Sequence, residues 1–270
     1  MSTGPSRKQV KVTVVGAGIV GSAIAYSLAR RGAAVTVIDK GRPGAGATSH
    51  SFAWINATAK HPVSYHNFNR RSLGMWDRFA KGLGVDVGLR WGGQLEWAST
   101  AVGAYELEAR AAQLRAWGYP CQLLDAAQTA YIEPGLSPRE VTAAIYCELD
   151  GMVEPTLAAQ ACIQAAVKLG AAAKLETQVT DVMNNSSSAT VIAGGETIDA
   201  DVVVLAGGVD NTALAAMAMP GAAASRTTMI RPVRSRAAIS AALPEAAVFE
   251  FVGAGRGLGG GERRDPFMLG

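Results

Sequence analysis

The sequence predicts an α/β fold that opens with a strand, a glycine-rich turn, a helix and a second strand. Two observations support this: Gly16, Gly18 and Gly21 directly follow an apolar, β-branched segment, and a second such segment ends at Asp39. The composition agrees. Of the 270 residues 49% are hydrophobic and the net charge is only +3, which is typical of a chain with a sizeable core and excludes a disordered one.

The first element is a buried strand over Lys11–Val15. We predict a helix over residues 22–31, ended by Gly32, and a strand over residues 35–38. Each motif glycine has a physical reason: the first permits a tight turn, the second lets backbone approach a pyrophosphate, and the third lets the helix lie close to the sheet. Asp39 can accept hydrogen bonds from a ribose diol. The pattern therefore predicts a Rossmann-like dinucleotide-binding unit.

Residues 12–29 are uncharged and flanked by basic residues, as in a signal peptide or a short membrane anchor. The glycines interrupt this run, so we predict two elements and no transmembrane segment, while peripheral membrane association stays open. The balance of 25 basic against 22 acidic residues argues against a nucleic-acid partner. Cys121, Cys147 and Cys162 form no C-x-x-C pair, so we predict no disulfide framework and no metal site, and a cytoplasmic location.

Residues 41–54 form a long segment rich in glycine and hydroxyl groups, with neither helical nor strand periodicity. Long loops of this kind in compact domains are usually functional. We expect this loop to lie against an extended ligand, with Thr48 and Ser49 supplying hydroxyls. A nicotinamide-binding domain would normally continue directly with another helix and strand, so the loop departs from that pattern.

The later part of the chain predicts further α/β elements. Pro155 begins a helix that Gly170 ends, a strand follows over residues 175–182, and an apolar strand over residues 202–205 runs into a glycine pair. That pair is either a second place where backbone approaches the cofactor or a simple turn at the end of a strand. Between these segments, strands near residues 94–97 and 141–147 and a helix over residues 101–117 have a different, more aromatic composition.

These motifs resemble the flavin-dependent D-amino-acid oxidase family, which includes glycine oxidase, sarcosine oxidase and the D-amino-acid dehydrogenases. The resemblance rests on residues 12–39, 44–49, 51–56, 88–97, 150–155 and 200–207. It implies a discontinuous Rossmann-like FAD-binding domain, residues 1–57 and 151–219, with an inserted α+β substrate domain, residues 58–150. Residues 220–270 are an atypical tail, which suggests a chain that is truncated or divergent after about residue 219.

The resemblance implies FAD as cofactor and, as substrate, a small amino acid or amine whose C–N bond is oxidised by hydride transfer to flavin. Two alternatives stay open: an NAD-dependent dehydrogenase with the same opening motif, and a catalytically incomplete flavin-binding remnant or assembly subunit. Oligomeric state is not predicted. The expected cofactor-binding residues are Gly16, Ala17, Gly18, Ile19, Val20, Gly21, Asp39, Lys40, Arg42, Thr48, Ser49, His50, Val179, Ala206 and Gly207.

The resemblance to the family supplies the expectations for Val179, for His50 and for the substrate-binding arginine. In relatives the residue matching Val179 contacts adenine through its backbone. A histidine spaced like His50 is covalently bonded to flavin in some related dehydrogenases, so His50 is either a covalent attachment point or an ordinary loop residue. The substrate-binding arginine of relatives usually lies in the C-terminal half, so Arg90 is a weak candidate and no catalytic residue is assigned. His66, in a polar stretch, is expected to be an ordinary residue.

Overall fold

A computed structural model describes residues 9–135, 140–184 and 188–219, together with the backbone of residues 228–230. The helices are α1 (Ile19–Ala29), α2 (Val63–Leu73), α3 (Trp76–Leu83), α4 (Ala101–Ala116), α5 (Ala126–Ile132), α6 (Pro155–Lys168) and α7 (Asn211–Ala218). The strands are β1 (Lys11–Val15), β2 (Ala34–Ile38), β3 (Trp54–Ile55), β4 (Arg90–Trp91), β5 (Gln94–Ala98), β6 (Gln122–Leu124), β7 (Ala143–Cys147), β8 (Gly151–Met152), β9 (Ala172–Lys174), β10 (Val179–Asn184), β11 (Ala189–Ala193), β12 (Glu196–Ala200), β13 (Val202–Leu205) and β14 (Thr228–Ile230).

The central sheet has five strands in the order β14-β13-β1-β2-β9. Strands β13, β1, β2 and β9 run parallel, and β14 is an antiparallel edge. Val14 pairs with Val37 on one side and with Val204 on the other. Because β1 lies between β2 and β13, the carboxyl ends of these three strands meet, which is where open parallel sheets bind ligands.

The two faces of this sheet bury different parts of the chain. Val12 and Val14 belong to an apolar core that includes α1 and α6, which pack against each other. Val15 and Val203 belong to a second core formed with α7 and the antiparallel meander β10-β11-β12. The alternation of faces along each strand explains why the strands are apolar on both sides. The sheet is therefore covered on both faces, as the α/β prediction requires.

Two smaller sheets occupy the middle of the sequence. Their orders are β3-β8-β4 and β5-β7-β6, and all their pairings are antiparallel. Helix α4 packs against the second of them. The apolar core that contains Val12 continues to Leu114 and Ile145 in this region. The short sheets are therefore joined to the central sheet by packed side chains.

Three local expectations differ from the structure. Helix α1 begins at Ile19, three residues earlier than predicted, because Gly18 has the extended backbone of an N-cap. The predicted strand over residues 175–182 is wrong for its first part: residues 175–178 form a crossing between β9 and β10, where the Thr177 N–H donates to Asp39 O at 2.8 Å. The loop over residues 41–54 contains one 3-10 turn, Ala47–His50, and its last residue begins β3.

Candidate functional site

The turn between β1 and α1 lies directly beside the end of β13. The Ala206 N–H donates to Val15 O, and the Gly16 N–H donates to Ile38 O, each at 2.7 Å. Gly16 has φ +111°, and a Cβ there would overlap the Ala206 carbonyl. A Cβ at Gly21 would overlap the Gly16 carbonyl. The two glycines are therefore required by close backbone packing.

The N-terminus of α1 is held by a side chain from a distant loop. Gly18 has no side chain to cap the helix, and Thr48 Oγ1 instead accepts the Ile19 N–H at 3.0 Å. Thr48 is buried in the 3-10 turn. The first turn of α1 contains only uncharged residues, so the partial positive charge of the helix is uncompensated there. This arrangement suits a phosphate.

Asp39 lies at the end of β2, as predicted, and also holds the turn together. Its Oδ2 accepts the Ala17 N–H at 2.6 Å, and its Oδ1 accepts the Gly41 N–H at 2.7 Å. Each carboxylate oxygen can accept a second hydrogen bond. The carboxylate can therefore bind a ribose hydroxyl while it fixes the glycine turn, a structural role that the sequence motif alone does not reveal.

Two ion pairs lie next to the end of β2. Lys40 Nζ is 2.7 Å from Asp210 Oδ2, and Arg42 Nε is 3.5 Å from Glu176 Oε1. The hydrogen bond to Asp210 raises the pKa of Lys40. The first pair joins the loop after β2 to the turn after β13, so it spans the ends of two strands that flank β1. Both pairs are exposed and contribute little to stability.

The loop over residues 41–54 is tied down at both ends. The Gly44 N–H donates to Ala17 O at 2.9 Å, and a Cβ at Gly44 would press on the Thr156 backbone of α6 at 3.2 Å. The Ser49 hydroxyl donates to Gly46 O at 2.9 Å, and His50 Nδ1 lies 3.1 Å from that hydroxyl. His50 is exposed, so its ring is accessible from solvent. The loop thus forms a structured wall beside the helix N-terminus.

The turn after β13 depends on a residue that the sequence motifs do not single out. Asn211 is buried; its Oδ1 accepts the Gly207 N–H at 2.6 Å and its Nδ2 donates to Leu205 O at 3.2 Å. The signal in the sequence is weak: an asparagine four residues after a strand-end glycine. Ala206 and Gly207 are held against the Gly16 turn, whereas Val179 lies at the start of β10 with its side chain buried.

A second group that the sequence does not reveal is fully buried below β3 and β8. His66 Nδ1 lies 2.7 Å from Ala57 O, and the rings of His66 and Tyr119 have their centroids 5.2 Å apart. The Tyr119 hydroxyl donates to Asp150 Oδ1. His66 Nε2 and Asp150 Oδ2 have no hydrogen-bond partner among the described residues. The polar sequence around His66 predicts an ordinary surface residue; helix α2 instead turns its ring inward.

Burial changes the acidity of this group. Desolvation raises the pKa of Asp150 to about 7, against the opposing effect of the Tyr119 hydrogen bond. Desolvation, followed by the hydrogen bond to Asp150, raises the pKa of Tyr119 as well. Ala57 lies just beyond β3, the strand that follows the loop wall, so this group holds the chain close to the far end of the wall. Arg90, in contrast, is exposed and pairs with Asp86 at 3.3 Å.

Comparison with known proteins identifies the family. Residues 11–258 match the DAO family, described as FAD dependent oxidoreductase. The chain belongs to this family of FAD-dependent oxidoreductases. FAD is thus the cofactor of the family. The resemblance that the sequence motifs predicted is confirmed.

Individual members of the family align with about three quarters of this chain. The glycine oxidase of Geobacillus kaustophilus is 30% identical over 203 residues, which are 73% of this chain and 54% of that protein. One of the opine oxidase subunits of Rhizobium meliloti is 30% identical over 220 residues, 77% of this chain and 59% of the relative. This DAO-family chain therefore spans little more than half the length of these curated relatives.

Solved structures of the family share the fold. The crystal structure of glycine oxidase from Geobacillus kaustophilus superposes with a TM-score of 0.72 at 29% identity, over 77% of this chain and 58% of that one. L-proline dehydrogenase from P. horikoshii superposes with a TM-score of 0.71 at 25% identity, over 81% and 58%. The Rossmann-like α/β fold class is therefore confirmed. In the part of this DAO-family chain that the structure describes, no helix is both long and apolar enough to span a bilayer.

The residues present fit the adenosine diphosphate end of FAD. The glycine turn and the start of α1 form the cradle: a Cβ at Gly18 would contact Thr48 Oγ1 at 3.4 Å, and α1 has no acidic residue in its first turn. Asp39 supplies an acceptor on one side of this cradle, and the backbone of Ala206 and Gly207 closes the other. The chemistry of this donor set matches a diphosphate joined to a ribose.

Proposed function

We propose that this chain carries the dinucleotide half of an oxidase or dehydrogenase that oxidises the C–N bond of a small amino acid or amine. The observation behind this proposal is the meeting of β13, β1 and β2 at the open N-terminus of α1. Family membership assigns FAD rather than NAD to such a crevice. The substrate class follows from relatives named glycine oxidase, opine oxidase and L-proline dehydrogenase.

We assign the adenosine diphosphate end of FAD to the strand ends and the glycine turn. The N-terminal amides of α1 would hold the phosphates, the Asp39 carboxylate would accept the ribose hydroxyls, and the backbone at Val179 would meet the adenine. These assignments rest on the open turn and on the free acceptor capacity of Asp39. The proposed set is Gly16, Ala17, Gly18, Ile19, Val20, Gly21, Asp39, Lys40, Val179, Ala206 and Gly207.

We assign the flavin side to the loop wall, with Arg42, Thr48, Ser49 and His50. The exposed ring of His50 already contacts the Ser49 hydroxyl, which supports a non-covalent contact with flavin rather than a covalent bond. Precipitation of the purified protein with acid tests this assignment. We expect a colourless pellet and a yellow supernatant; a yellow pellet that keeps its flavin after washing would instead show covalent attachment.

The domain arrangement that we propose places residues 1–57 and 151–219 around the cofactor and residues 58–150 over the flavin and substrate. When bound, FAD would supply a hydride acceptor for the carbon next to the substrate nitrogen. The contribution of this chain is to bind and orient: the helix N-terminus holds the diphosphate, and the buried His66–Tyr119–Asp150 group fixes the end of the loop wall through Ala57.

The unpaired thiols in the described residues agree with a cytoplasmic location.

Absorption spectroscopy tests the cofactor and the reaction in two steps. Purified protein, incubated with FAD and desalted, should show the flavin bands of bound FAD and should retain no NAD. Anaerobic addition of glycine, sarcosine, proline or D-alanine should then bleach the flavin absorbance with at least one of them. Failure to retain FAD would overturn the cofactor site. Retention without bleaching by any amine would overturn the catalytic proposal but not the site.

A second candidate function is that of a flavin-binding subunit without activity of its own. It is favoured by a relative that is named as one subunit of an opine oxidase. In this case the chain retains FAD, but an amine does not bleach the flavin absorbance of the chain alone. Bleaching occurs only when a partner chain is added. Size-exclusion chromatography of the active species would then give the oligomeric state.

A further inference from the structure

Two cysteines of the middle sheet face each other across adjacent strands. In the β6–β7 ladder Gln122 lies opposite Tyr146, and Leu123 lies opposite Ile145. Continuing this antiparallel register by one residue places Cys121 opposite Cys147. Side chains that are directly opposite in an antiparallel pair lie on the same face of the sheet. The fold therefore brings two thiols together that are 26 positions apart in the sequence.

The spacing of an antiparallel ladder suits a disulfide bond. Directly opposite residues have Cα atoms about 4.5 or 5.5 Å apart, and both values lie within the range of about 4.4–6.8 Å found for disulfides. Both cysteines are free thiols in the structure. Both residues are buried in the same apolar core, and each thiol affects the acidity of the other. Little backbone movement is therefore needed to join the two sulfurs.

The surroundings make the two thiols chemically unequal. The hydrogen bond from Cys147, together with the positive charge of Arg115, lowers the pKa of Cys121 against the opposing effect of burial. The same hydrogen bond and its burial raise the pKa of Cys147. The Arg115 Nε–H donates to Cys121 O at 2.8 Å, which keeps the guanidinium close. Cys121 is thus the nucleophile of the pair and Cys147 the resolving thiol.

The position of Cys121 gives an oxidant a route to the pair. Strand β6 is at the edge of the sheet β5-β7-β6, and Cys121 lies immediately before it. Its side chain is 6% exposed, whereas Cys147 on the central strand is fully buried. Neighbouring Gln122 is exposed. Local opening at an edge strand exposes a side chain at much lower cost than global unfolding.

We infer that Cys121 and Cys147 form a redox-sensitive pair, which hydrogen peroxide converts reversibly into a cross-strand disulfide. The Cys121 sulfur attacks one peroxide oxygen, the O–O bond breaks, and the hydroxide that leaves takes up a proton to form water. The Cys147 sulfur then attacks the resulting sulfenic acid, and the sulfenic oxygen leaves as a second water with the Cys147 proton. Two thiols thus lose two electrons to one peroxide.

Cys162 provides an internal control. It is fully buried in α6, burial raises its pKa to about 12, and it has no interacting thiol among the described residues. It should stay reduced under the same treatment. This inference does not depend on the proposed oxidase activity, because the peroxide is added as a reagent.

The test uses the full chain with whatever flavin it carries. Reduced protein is freed of reductant, treated with peroxide in the native state, unfolded, alkylated and digested. Cleavage at both basic and glutamate residues separates the three cysteines, because Arg139 lies between Cys121 and Cys147 and Glu148 lies between Cys147 and Cys162. Mass spectrometry should find one crosslinked peptide that joins Cys121 to Cys147, alkylated Cys162, and loss of the crosslink after treatment with dithiothreitol.

Two variants separate this pair from other thiol chemistry. Cys162→Ser should keep the crosslink. Cys147→Ser should lose it and leave Cys121 as a sulfenic acid that dimedone traps. Alkylation of all three cysteines after peroxide treatment of the wild-type chain would overturn the inference. A crosslink that includes Cys162 or joins two chains would overturn it as well, and the wild-type measurement is decisive even where a variant fails to fold.

Discussion

At two glycines of the opening motif, neighbouring backbone occupies the place that a side chain would need. At Gly16 the backbone has φ +111°, and the Ala206 carbonyl occupies the place where a Cβ would point. At Gly21 the Gly16 carbonyl does the same. The motif is therefore an interlock of backbone segments from β1, α1 and β13. Folding alone therefore requires glycine at these two positions.

The first prediction concerns Gly16→Ala. We expect it to lower the free energy of unfolding by about 2 kcal/mol or more, because both the left-handed backbone and the overlap with Ala206 oppose a Cβ. FAD affinity should fall with it. Urea unfolding and fluorescence titration with FAD measure the two effects.

Gly92→Ala is the matched control for this prediction. A Cβ at Gly92 would meet no heavy atom within 4 Å, and its backbone is outside the left-handed region. It should change stability by no more than about 0.5 kcal/mol. Equal losses in the two variants would show that backbone packing at the turn is not the cause.

Asp150 shows how burial alters a single carboxyl group. It is fully buried, and Tyr119, Lys60, Cys147 and Cys121 are the described ionisable groups that interact with it. Its pKa in the folded chain is raised to about 7 from an ordinary value of 3.8. The folded state therefore binds more protons than the unfolded state between these two pH values. The contribution of Asp150 to stability is favourable at low pH and is lost as the pH rises towards 7.

The second prediction follows from this loss of stability with rising pH. Asp150→Asn removes the titration, so the stability of the variant relative to the wild type should increase as the pH rises from 5 to 8. Over that range the expected increase is about 2.7 kcal/mol, because about two pH units separate pH 5 from a pKa of about 7, at about 1.4 kcal/mol each. Urea unfolding of both proteins at each pH measures the difference. A difference that is constant or falls with pH would contradict a raised pKa at Asp150.

At the level of single elements, α1 has a helix start that the loop wall completes. Its N-cap is a glycine without a side-chain acceptor, and Thr48 supplies the missing acceptor from 29 positions away. The helix and the loop over residues 41–54 are consequently a single structural unit. The same hydroxyl lies next to the proposed diphosphate position, so the loop controls the geometry of the cradle.

The third prediction tests this link with two substitutions at one position. Thr48→Val removes the acceptor of the Ile19 N–H with little change in shape, and it should cost about 1 kcal/mol of stability and weaken FAD binding. Thr48→Ser keeps the hydroxyl and should retain most of both. Thermal unfolding and FAD titration of the pair give the result. If Thr48→Ser is as weak as Thr48→Val, the methyl group and not the hydroxyl is responsible.

Across the chain as a whole, two apolar cores on opposite faces of one sheet surround the cofactor crevice. One joins α1 and α6 to the middle sheets, and the other joins the meander to α7. The turns at the carboxyl ends of β1, β2 and β13 come from three separate parts of the sequence. A ligand that binds across all three should stabilise the folded state as a whole.

The fourth prediction is a shift in the thermal midpoint. FAD at about one hundred times its Kd should stabilise the chain by about 2.7 kcal/mol, which corresponds to about 5–10 °C for a chain of this size. NAD at the same concentration should produce no shift. Differential scanning fluorimetry with an extrinsic dye, or calorimetry, measures both. Equal shifts with the two dinucleotides would argue against a site built for FAD.

Elements whose signals are local could be predicted from the amino-acid sequence. The strand before Gly16, the helix after Gly18, the strand that ends at Asp39 and the helix that starts at Pro155 are each specified by residues a few positions apart. Side-chain periodicity, β-branching and glycine or proline at a boundary act over that range. For the same reason dinucleotide binding could be predicted from the residues alone, whereas the family and FAD came from the resemblance of the motifs to known proteins.

Folding in three dimensions settled which distant residues share an environment. It turned His66 inward against Tyr119, placed Thr48 over the start of α1, and brought Cys121 opposite Cys147. It also showed that residues 175–178 cross over Asp39 instead of continuing a strand. Strand pairing and burial depend on contacts between positions far apart in the chain, and no local pattern of residues encodes those contacts.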